Sequence, residues 1–240
     1  QDVVGDKFLE IIDNTDYIFC IGEEGTNAHN SFLGYDRPVI SFMPSISPKV
    51  QFSDQWLQTR QRDTFLCFAG NGFICKGVDL VVEAFLKDPT KKLYICGPQS
   101  EASFFNYYGN KINQSSNIQY LGFIEPGGET FNKIASVCSY TIFHASSEGC
   151  CTSVATTMKA GLVPIINRWT GINITNEGIT MSDDGDKIEN IEKAIANASC
   201  TNDQDYATMV QNVLRKTQAF SQQSFFETYS KAIDLVISTQ

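Results

Sequence analysis

The residues best placed to do chemistry lie in a short polar turn, Ser146 to Gly149. An apolar run ending at Phe143 precedes the turn and predicts a buried strand, and the small residues from Cys150 onward predict the first turn of a helix. The first-turn N–H groups of a helix have no intrahelical partner, and its dipole favours an anion there. Glu148, the acid within the turn, would then face whatever group is attached to a bound phosphate.

A second loop, residues 68–77, also lies between a predicted strand and a predicted helix. Gly70 and Gly72 permit close approach of the backbone to a ligand, and Lys76 supplies a positive charge near the helix start. The loop lacks the GK[ST] ending of a Walker A loop, and Cys75 occupies the place of the third glycine of GxGxxG. The alternative interpretation of Lys76 is a surface lysine on a flexible turn.

A regular alternation of strands and helices would hold these two loops. Continuous apolar runs alternate with helical segments of 10–15 residues, which predicts parallel strands buried on both faces. The predicted fold class is α/β, a Rossmann-like doubly wound sheet with its site at the carboxyl ends of the strands and a helical C-terminal tail. The predicted strands are 64–70, 92–98, 118–123, 140–146, 163–167 and 178–183; the predicted helices are 77–86, 101–112, 128–137, 152–160, 186–198, 203–219 and 222–238.

The first fifty residues follow a different plan. A weak helical pattern covers 5–13, and two strands at 17–21 and 38–42 flank a turn and a short helix, which gives a βαβ-like fragment too small for its own core. The polar stretch 51–63 is predicted to be a linker that leads into the main domain, 64–240. The chain opens on Gln rather than Met, so we expect it to be a piece of a longer protein.

The composition excludes several classes of function. A net charge of −9 without a Lys/Arg run argues against a nucleic-acid groove. No apolar stretch approaches the roughly 18–20 residues of a membrane span. The eight cysteines contain no CxxC pair, which favours buried free thiols in a reducing, cytoplasmic compartment. The acidic run 183–186 lacks the spacing of a calcium loop, so no metal is expected.

These features resemble the carboxyl-terminal, donor-binding domain of a GT-B retaining glycosyltransferase of family 4 (glycosyltransferase group 1). That family has a G-R-x4-K-G loop, then a strand ending in glycine, and later an E-G-x6-E-A-M-A-x-G motif. The segments CFAGNGFICKGVDLVVEAF, LYICGP, NIQYLGFI and SSEGCCTSVATTMKAGLVPII follow in that order with similar spacing. The resemblance covers roughly residues 64–200, and residues 1–50 would be the last βαβ unit of the amino-terminal GT-B domain.

The resemblance implies transfer of a hexose from a nucleoside diphosphate sugar to an acceptor with retention, without a metal or another cofactor. Lys76 would hold the donor's pyrophosphate, and Glu148, the expected catalytic residue, would contact the hydroxyls of the transferred sugar. The other expected donor-binding residues are Gly70, Asn71, Gly72, Gly97, Gly149, Cys150, Cys151, Thr152, Ser153 and Thr156. The expected partners are the nucleotide-sugar donor and a carbohydrate or lipid-linked acceptor; the resemblance also allows peripheral contact of the full-length protein with the inner face of the membrane.

Two departures from the family pattern keep alternatives open. Asn71 replaces the loop arginine, and Thr156 replaces the second glutamate, which usually binds the ribose. A bacterial subgroup with similar CKGVDL and EGCCTSVATTMKAGL segments would explain both departures. The alternatives are a non-catalytic nucleotide-sugar-binding or scaffold module and a nucleotide-sugar epimerase of GT-B shape.

Several other residues keep two interpretations. His144 is either a core or rim histidine or a proton carrier. Residues 170–172 either line the donor site or form an ordinary turn, and His29 matches no family residue. The aromatic residues at 104–108 either pack the helix or meet an acceptor or partner.

Overall fold

A six-stranded parallel sheet forms the centre of the computed structural model, which describes residues 10–11, 13–22 and 38–238. The predicted helical pattern at 5–13, the turn and short helix that follow the first strand, and His29 lie wholly or largely outside the described residues. The sheet strands are β3 (Gln61–Phe68), β4 (Lys92–Cys96), β5 (Ile118–Tyr120), β6 (Cys138–Phe143), β7 (Val163–Ile166) and β8 (Ile179–Thr180), in the order β5-β4-β3-β6-β7-β8.

The central strands are apolar on both faces because each face is covered by helices. In β3, Phe65 and Cys67 point into one core while Leu66 and Phe68 point into the other, as the two-residue period of a strand requires. The helices are α1 (Trp56–Thr59), α2 (Val78–Lys87), α3 (Ala102–Gln114), α4 (Glu129–Ala135), α5 (Thr152–Lys159), α6 (Lys187–Ser199), α7 (Asp203–Lys216) and α8 (Gln222–Ser238). The predicted α/β class and helical tail are confirmed.

The strand order reverses direction at the middle of the sheet. From β3 the chain proceeds outward through β4 and β5, then returns to place β6 on the other side of β3 and proceeds outward through β7 and β8. Ligands of open α/β sheets bind where the order reverses, outside the carboxyl ends of the strands. The loops that follow β3 and β6 therefore flank the expected binding position.

Some predicted strand limits differ from the observed ones. The apolar pattern predicts that β5 reaches residue 123, but the strand ends at Tyr120, because Gly122 adopts φ +72° and turns the chain away from the sheet. β3 begins at Gln61, three residues before the predicted start, because its main chain already pairs with the start of β6.

The stretch that leads into β3 packs against the sheet. Val50 is fully buried, and Arg60 is buried with its guanidinium donating to the carbonyls of Ala135 (3.2 Å), Ala160 (2.5 Å) and Gly161 (2.5 Å). These carbonyls lie at the carboxyl ends of α4 and α5, where a cation is favoured by the helix dipoles. Arg60 thus ties the entry segment to two helices.

A small second sheet pairs β1 (Ile18–Ile21) with β2 (Val39–Phe42) in parallel. α8 packs against β2 through an aromatic cluster in which the Phe42 ring lies 5.2 Å from Tyr229 and 6.0 Å from Phe225. The last described helix therefore returns to the beginning of the chain. Among the described residues, no helix combines the length and hydropathy needed to cross a bilayer.

Candidate functional site

Two hydrogen bonds from Ser146 join the two predicted loops. The Ser146 N–H donates to the Cys75 carbonyl at 2.9 Å, and the Ser146 hydroxyl donates to the same oxygen at 2.8 Å. The loop after β3 and the turn after β6 are therefore fixed to each other at the point where the strand order reverses. This brings Lys76 and Glu148 together, as the sequence predicts for a shared site.

A buried aromatic ring anchors the loop that carries Lys76. Phe73 is 1% exposed and packs against Phe104 (ring centroids 5.0 Å apart) and Tyr120 (6.3 Å). A Cβ at Gly97 would lie 2.7 Å from the Phe73 ring, so glycine is needed there for the ring to fit. Lys76 consequently follows a loop segment that is packed into the core at Phe73.

A carboxylate from the next strand–helix connection also holds this loop. The Glu101 side chain, at the start of α3, accepts from the Ile74 N–H at 3.2 Å. The loop is therefore fixed on both sides, by the buried ring beneath it and by a hydrogen bond beside it.

Gly77 brings the start of α2 against β6. Its φ is +67°, and a Cβ there would lie 1.9 Å from the His144 carbonyl oxygen, so both backbone conformation and space require glycine. α2 thus begins in direct contact with the carboxyl end of β6. This contact sets the position of Lys76, the residue that precedes Gly77.

Lys76 and Glu148 form an ion pair. The Lys76 ammonium donates to a Glu148 carboxylate oxygen, and the two side chains are 16% and 22% exposed. The ammonium also lies 5.9 Å from the centre of the Phe143 ring. Both charges are partly withdrawn from water, which strengthens their attraction above that of a surface pair. In this arrangement each charge is neutralised by the other.

The start of α5 is fixed by the segment that follows β7. The Cys151 N–H donates to the Thr170 carbonyl (2.9 Å), and the Glu148 N–H donates to the Trp169 carbonyl (2.9 Å). A Cβ at Gly171 would lie 2.1 Å from the Gly149 carbonyl oxygen, so this close approach of the two segments requires glycine at position 171. Residues 169–171 therefore hold the turn in place.

The first turn of α5 carries backbone donors for a ligand. No side chain caps this helix, and within the described part of the chain no acceptor is found for the N–H groups of Gly149, Thr152 and Ser153. The Cys151 N–H is already engaged, and burial raises the pKa of its thiol, so this side chain is a neutral packing group. The free donors are thus fewer than the predicted run 149–153.

A cleft of about 340 Å³ opens beside this helix start. It brings together six of the predicted donor-binding residues: Gly70, Asn71, Gly97, Thr152, Ser153 and Thr156. It also includes Phe123, whose side chain is 68% exposed at the rim. Lys76 lies next to the cleft, because a Cβ at Gly70 would be 4.0 Å from the Lys76 Cε atom.

The two residues that depart from the family pattern both hydrogen bond within the cleft wall. The Asn71 Oδ1 accepts from the Ser100 hydroxyl at 2.8 Å, which leaves its Nδ2 group directed away from that bond as a donor. The Thr156 hydroxyl donates to the Thr152 carbonyl at 2.7 Å and keeps its lone pairs for a ligand hydroxyl. Each side chain is therefore held in place and offers neutral hydrogen bonding only.

The remaining predicted residues lie at the margin. Gly72 has φ +82° and shapes the bend of the loop but does not line the cleft. Cys150 is half-buried at the end of the turn. His144 is buried, burial lowers the pKa of its imidazole, and its Nε2 atom has no partner within the described residues. A buried histidine outside the cleft lining fits the core interpretation.

The sequence does not single out Phe73, Glu101 and Phe123, and it leaves the role of Gly171 open. Phe73 and Glu101 hold the first loop, and Gly171 lets the second turn close. An apolar residue directly after the loop glycines is the available signal for Phe73. The role of Glu101 and the close contact at Gly171 become visible only when distant segments meet in the fold.

No protein-family model matches the chain, and no curated protein matches it significantly. Solved structures do match it. The pneumococcal O-GlcNAc transferase GtfA, in complex with UDP and GlcNAc, aligns over 97% of this chain and 47% of its own with a TM-score of 0.68 and 17% identity. The sucrose-phosphate synthase of Thermosynechococcus elongatus aligns over 96% and 61% with a TM-score of 0.75 and 13% identity.

A third similar structure is the catalytic domain of starch synthase IV from Arabidopsis thaliana bound to ADP and acarbose. It aligns over 93% of this chain and 57% of its own, with a TM-score of 0.64 and 14% identity. The chain thus spans about half to three fifths of the length of these structures. The likeness shows the fold, a Rossmann-like sheet of the GT-B type with C-terminal helices.

Proposed function

We propose that this chain is the donor-binding part of a glycosyltransferase that transfers a hexose from a nucleoside diphosphate sugar to an acceptor with retention. The observation that carries the proposal is the Lys76–Glu148 pair, placed where the strand order reverses and beside a ligand-sized cleft. The similar solved structures support it, because those named above are glycosyl-transferring or sugar-synthesising enzymes by description, two of them with a nucleoside diphosphate bound.

In the proposed site, different residues would contact different parts of the donor. The donor's pyrophosphate would accept from the Lys76 ammonium, from the Asn71 amide and from the N–H groups of Thr152 and Ser153. Negative charge grows on the diphosphate as it leaves, so donors fixed in advance lower the barrier. The helix N-terminus adds to this effect through its dipole. Lys76 is the main cation of the proposed pyrophosphate site.

The sugar and the nucleoside would lie on either side of this pyrophosphate. Glu148 would accept hydrogen bonds from sugar hydroxyls, and charged acceptors make stronger hydrogen bonds than neutral ones. The Thr156 hydroxyl would accept from a ribose hydroxyl, and the exposed Phe123 ring offers a face for the base. Residues 1–50 would belong to the amino-terminal domain, with the linker at 51–63, and the acceptor would enter between the two parts.

One contact supports that entry route. A Cβ at Gly149 would lie 3.6 Å from the Ile21 carbonyl oxygen at the end of β1. The amino-terminal segment therefore reaches the turn that carries Glu148. We propose a carbohydrate acceptor for this side; a lipid-linked acceptor and peripheral membrane contact remain predictions of the family resemblance.

Calorimetric titration of the chain with UDP, GDP, ADP and their hexose conjugates tests the proposal. One nucleotide should bind, Lys76→Met should weaken it by at least roughly tenfold, since a charge-assisted bond is lost, and Lys193→Met should not. Lys193 is a matched control, since it is an exposed lysine paired with Glu189 on α6. Absence of any nucleotide binding that depends on Lys76 would reject the proposal.

The second candidate is a non-catalytic nucleotide-sugar-binding or scaffold module. It is favoured by the neutral bonds of Asn71 and Thr156, which replace charged groups of the family pattern. Full-length protein incubated with labelled nucleotide sugars separates the two. Slow donor hydrolysis that Glu148→Gln abolishes supports the enzyme, and binding without any turnover supports the module.

A further inference from the structure

A second depression, of about 450 Å³, lies along α3 and outside the proposed donor site. Its volume is within the range of small-ligand sites. We call it the amide groove. Its lining residues are Gln99, Phe105, Asn106, Gly109, Asn110, Ile112, Asn113 and Tyr120.

Carboxamide side chains dominate the amide groove. Asn106, Asn110 and Asn113 are spaced by four and three residues, so they share one face of α3. All three are exposed, and among the described residues none of their side chains makes a hydrogen bond. By contrast, Asn117 and Asn167 use their amides to bind main-chain carbonyls. The groove asparagines serve no comparable structural purpose.

The lining of the amide groove carries no formal charge, in a chain of net charge −9. It therefore has no charged side chain with which to pair a phosphate, a metal ion or a charged peptide. A carboxamide presents two donors and an acceptor at once. A sugar hydroxyl likewise donates and accepts, so a row of carboxamides complements a row of hydroxyls.

Two aromatic rings complete the amide groove. Phe105 and Tyr120 lie with their ring centroids 5.1 Å apart, and both are half-buried. The Tyr120 hydroxyl is already used, since it donates to the Gly97 carbonyl at 2.8 Å. The rings thus offer apolar faces, which suit the C–H faces of a pyranose. Gly109 keeps the floor open, because a Cβ there would meet no atom within 4 Å.

We propose that the amide groove binds a neutral oligosaccharide. The Gly97–Gln99 segment connects it to the donor cleft, since Gly97 and Pro98 line the cleft and Gln99 lines the groove. A bound glycan would run along α3 toward the carboxyl edge of the sheet. This site goes beyond the proposed transferase function and does not depend on it.

Titration of the chain with maltoheptaose, cellohexaose and chitohexaose, followed by calorimetry, tests the inference. At least one should bind with a millimolar or tighter Kd. The double variant Asn106→Ala/Asn110→Ala should weaken binding by roughly tenfold or more, because hydrogen bonds are lost without charge change. The matched control is Asn197→Ala, an exposed asparagine on α6, and it should leave binding unchanged.

A second variant blocks the groove sterically and is expected to keep the fold, so that loss of binding cannot be attributed to unfolding. Gly109→Met fills the amide groove on a helix where a longer side chain is accommodated, so stability should not fall. It should abolish oligosaccharide binding and leave nucleotide binding by the donor cleft intact. Absence of binding to all three glycans, unchanged binding by Gly109→Met, or an equal response to an uncharged Gly/Ser peptide would each overturn the inference. Because nucleotide binding is measured separately, a failure here is distinct from a failure of the proposed transferase function.

Discussion

Replacing Glu148 by glutamine should increase the affinity for a nucleoside diphosphate and remove turnover. The Lys76 ammonium is paired with Glu148, and both side chains are largely shielded from water. An incoming diphosphate must compete with that carboxylate for the ammonium and also lie close to it. The carboxamide of the Glu148→Gln variant would keep the side-chain shape while removing the competing charge.

The magnitude follows from the partial burial of the pair. Two unit charges about 4 Å apart interact by about 4 kcal/mol at an effective dielectric constant near 20. Most of the energy gained by removing the repulsion between the diphosphate and Glu148 is offset. Lys76 only exchanges one anion for another, and part of its solvation is recovered. We expect a net gain of about 1.4 kcal/mol, which is a tenfold lower Kd for the nucleoside diphosphate.

The sugar conjugate should respond differently from the bare diphosphate. The Glu148→Gln variant would lose charge-assisted bonds to the sugar hydroxyls, so the preference for the sugar nucleotide over the diphosphate should disappear. Calorimetry with both ligands on wild type and variant measures the ratio, and labelled-donor hydrolysis measures turnover. If Glu148→Gln weakens binding of the bare diphosphate as much as Lys76→Met does, the pairing argument is wrong.

Three further predictions concern stability and reactivity. Replacing Arg60 by Met should lower the free energy of unfolding by about 3 kcal/mol in urea, because three buried carbonyls lose their donor; Arg215→Met on the exposed face of α7 should change it little. Cys75 is exposed beside Lys76, so iodoacetamide should modify it, and a bound nucleotide should slow that reaction. Buried Cys67, whose thiol pKa is raised by burial, should stay unmodified in the native chain. Peptide mass spectrometry can follow both cysteines. Burial lowers the pKa of His144, so as pH falls through about 6.5 the unfolded state takes up a proton that the folded state does not, and stability should decrease. Unfolding in urea between about pH 7.5 and 5.5 should show this loss of stability for wild type and a smaller loss for His144→Gln. An identical dependence of stability on pH in both proteins would contradict the role given to His144. Burial raises the pKa of Asp79, so this group acts in the opposite direction at lower pH.

The fold could be predicted because strand and helix patterns are local. The buried run in β6 and the alternation with α5 follow from residue types alone, and the observed limits lie within three residues of the predicted ones. The proximity of Lys76 and Glu148 could also be predicted from the sequence, since both follow strands whose carboxyl ends share one edge of a parallel sheet.

Other parts of the structure depend on contacts between distant segments. Arg60 lies in a stretch that has the composition of a polar linker, and only the folded chain shows that it caps two helices. Likewise, the amide groove requires α3 to lie beside β5 and the loop after β4. Residue spacing places three asparagines on one helix face but does not reveal what lies opposite.

Because Ser146 donates two hydrogen bonds to the Cys75 carbonyl, the backbone frame of the site does not depend on the side chains that would select a ligand. The distance between the loop after β3 and the turn after β6 is set by these two bonds and by the close approach at Gly77, not by the side chains of Asn71 and Thr156. In the proposed donor site, substitutions at Asn71 and Thr156 should therefore change the preferred donor without moving this frame. Under that proposal, these two positions are the ones to vary in order to change the preferred sugar or base.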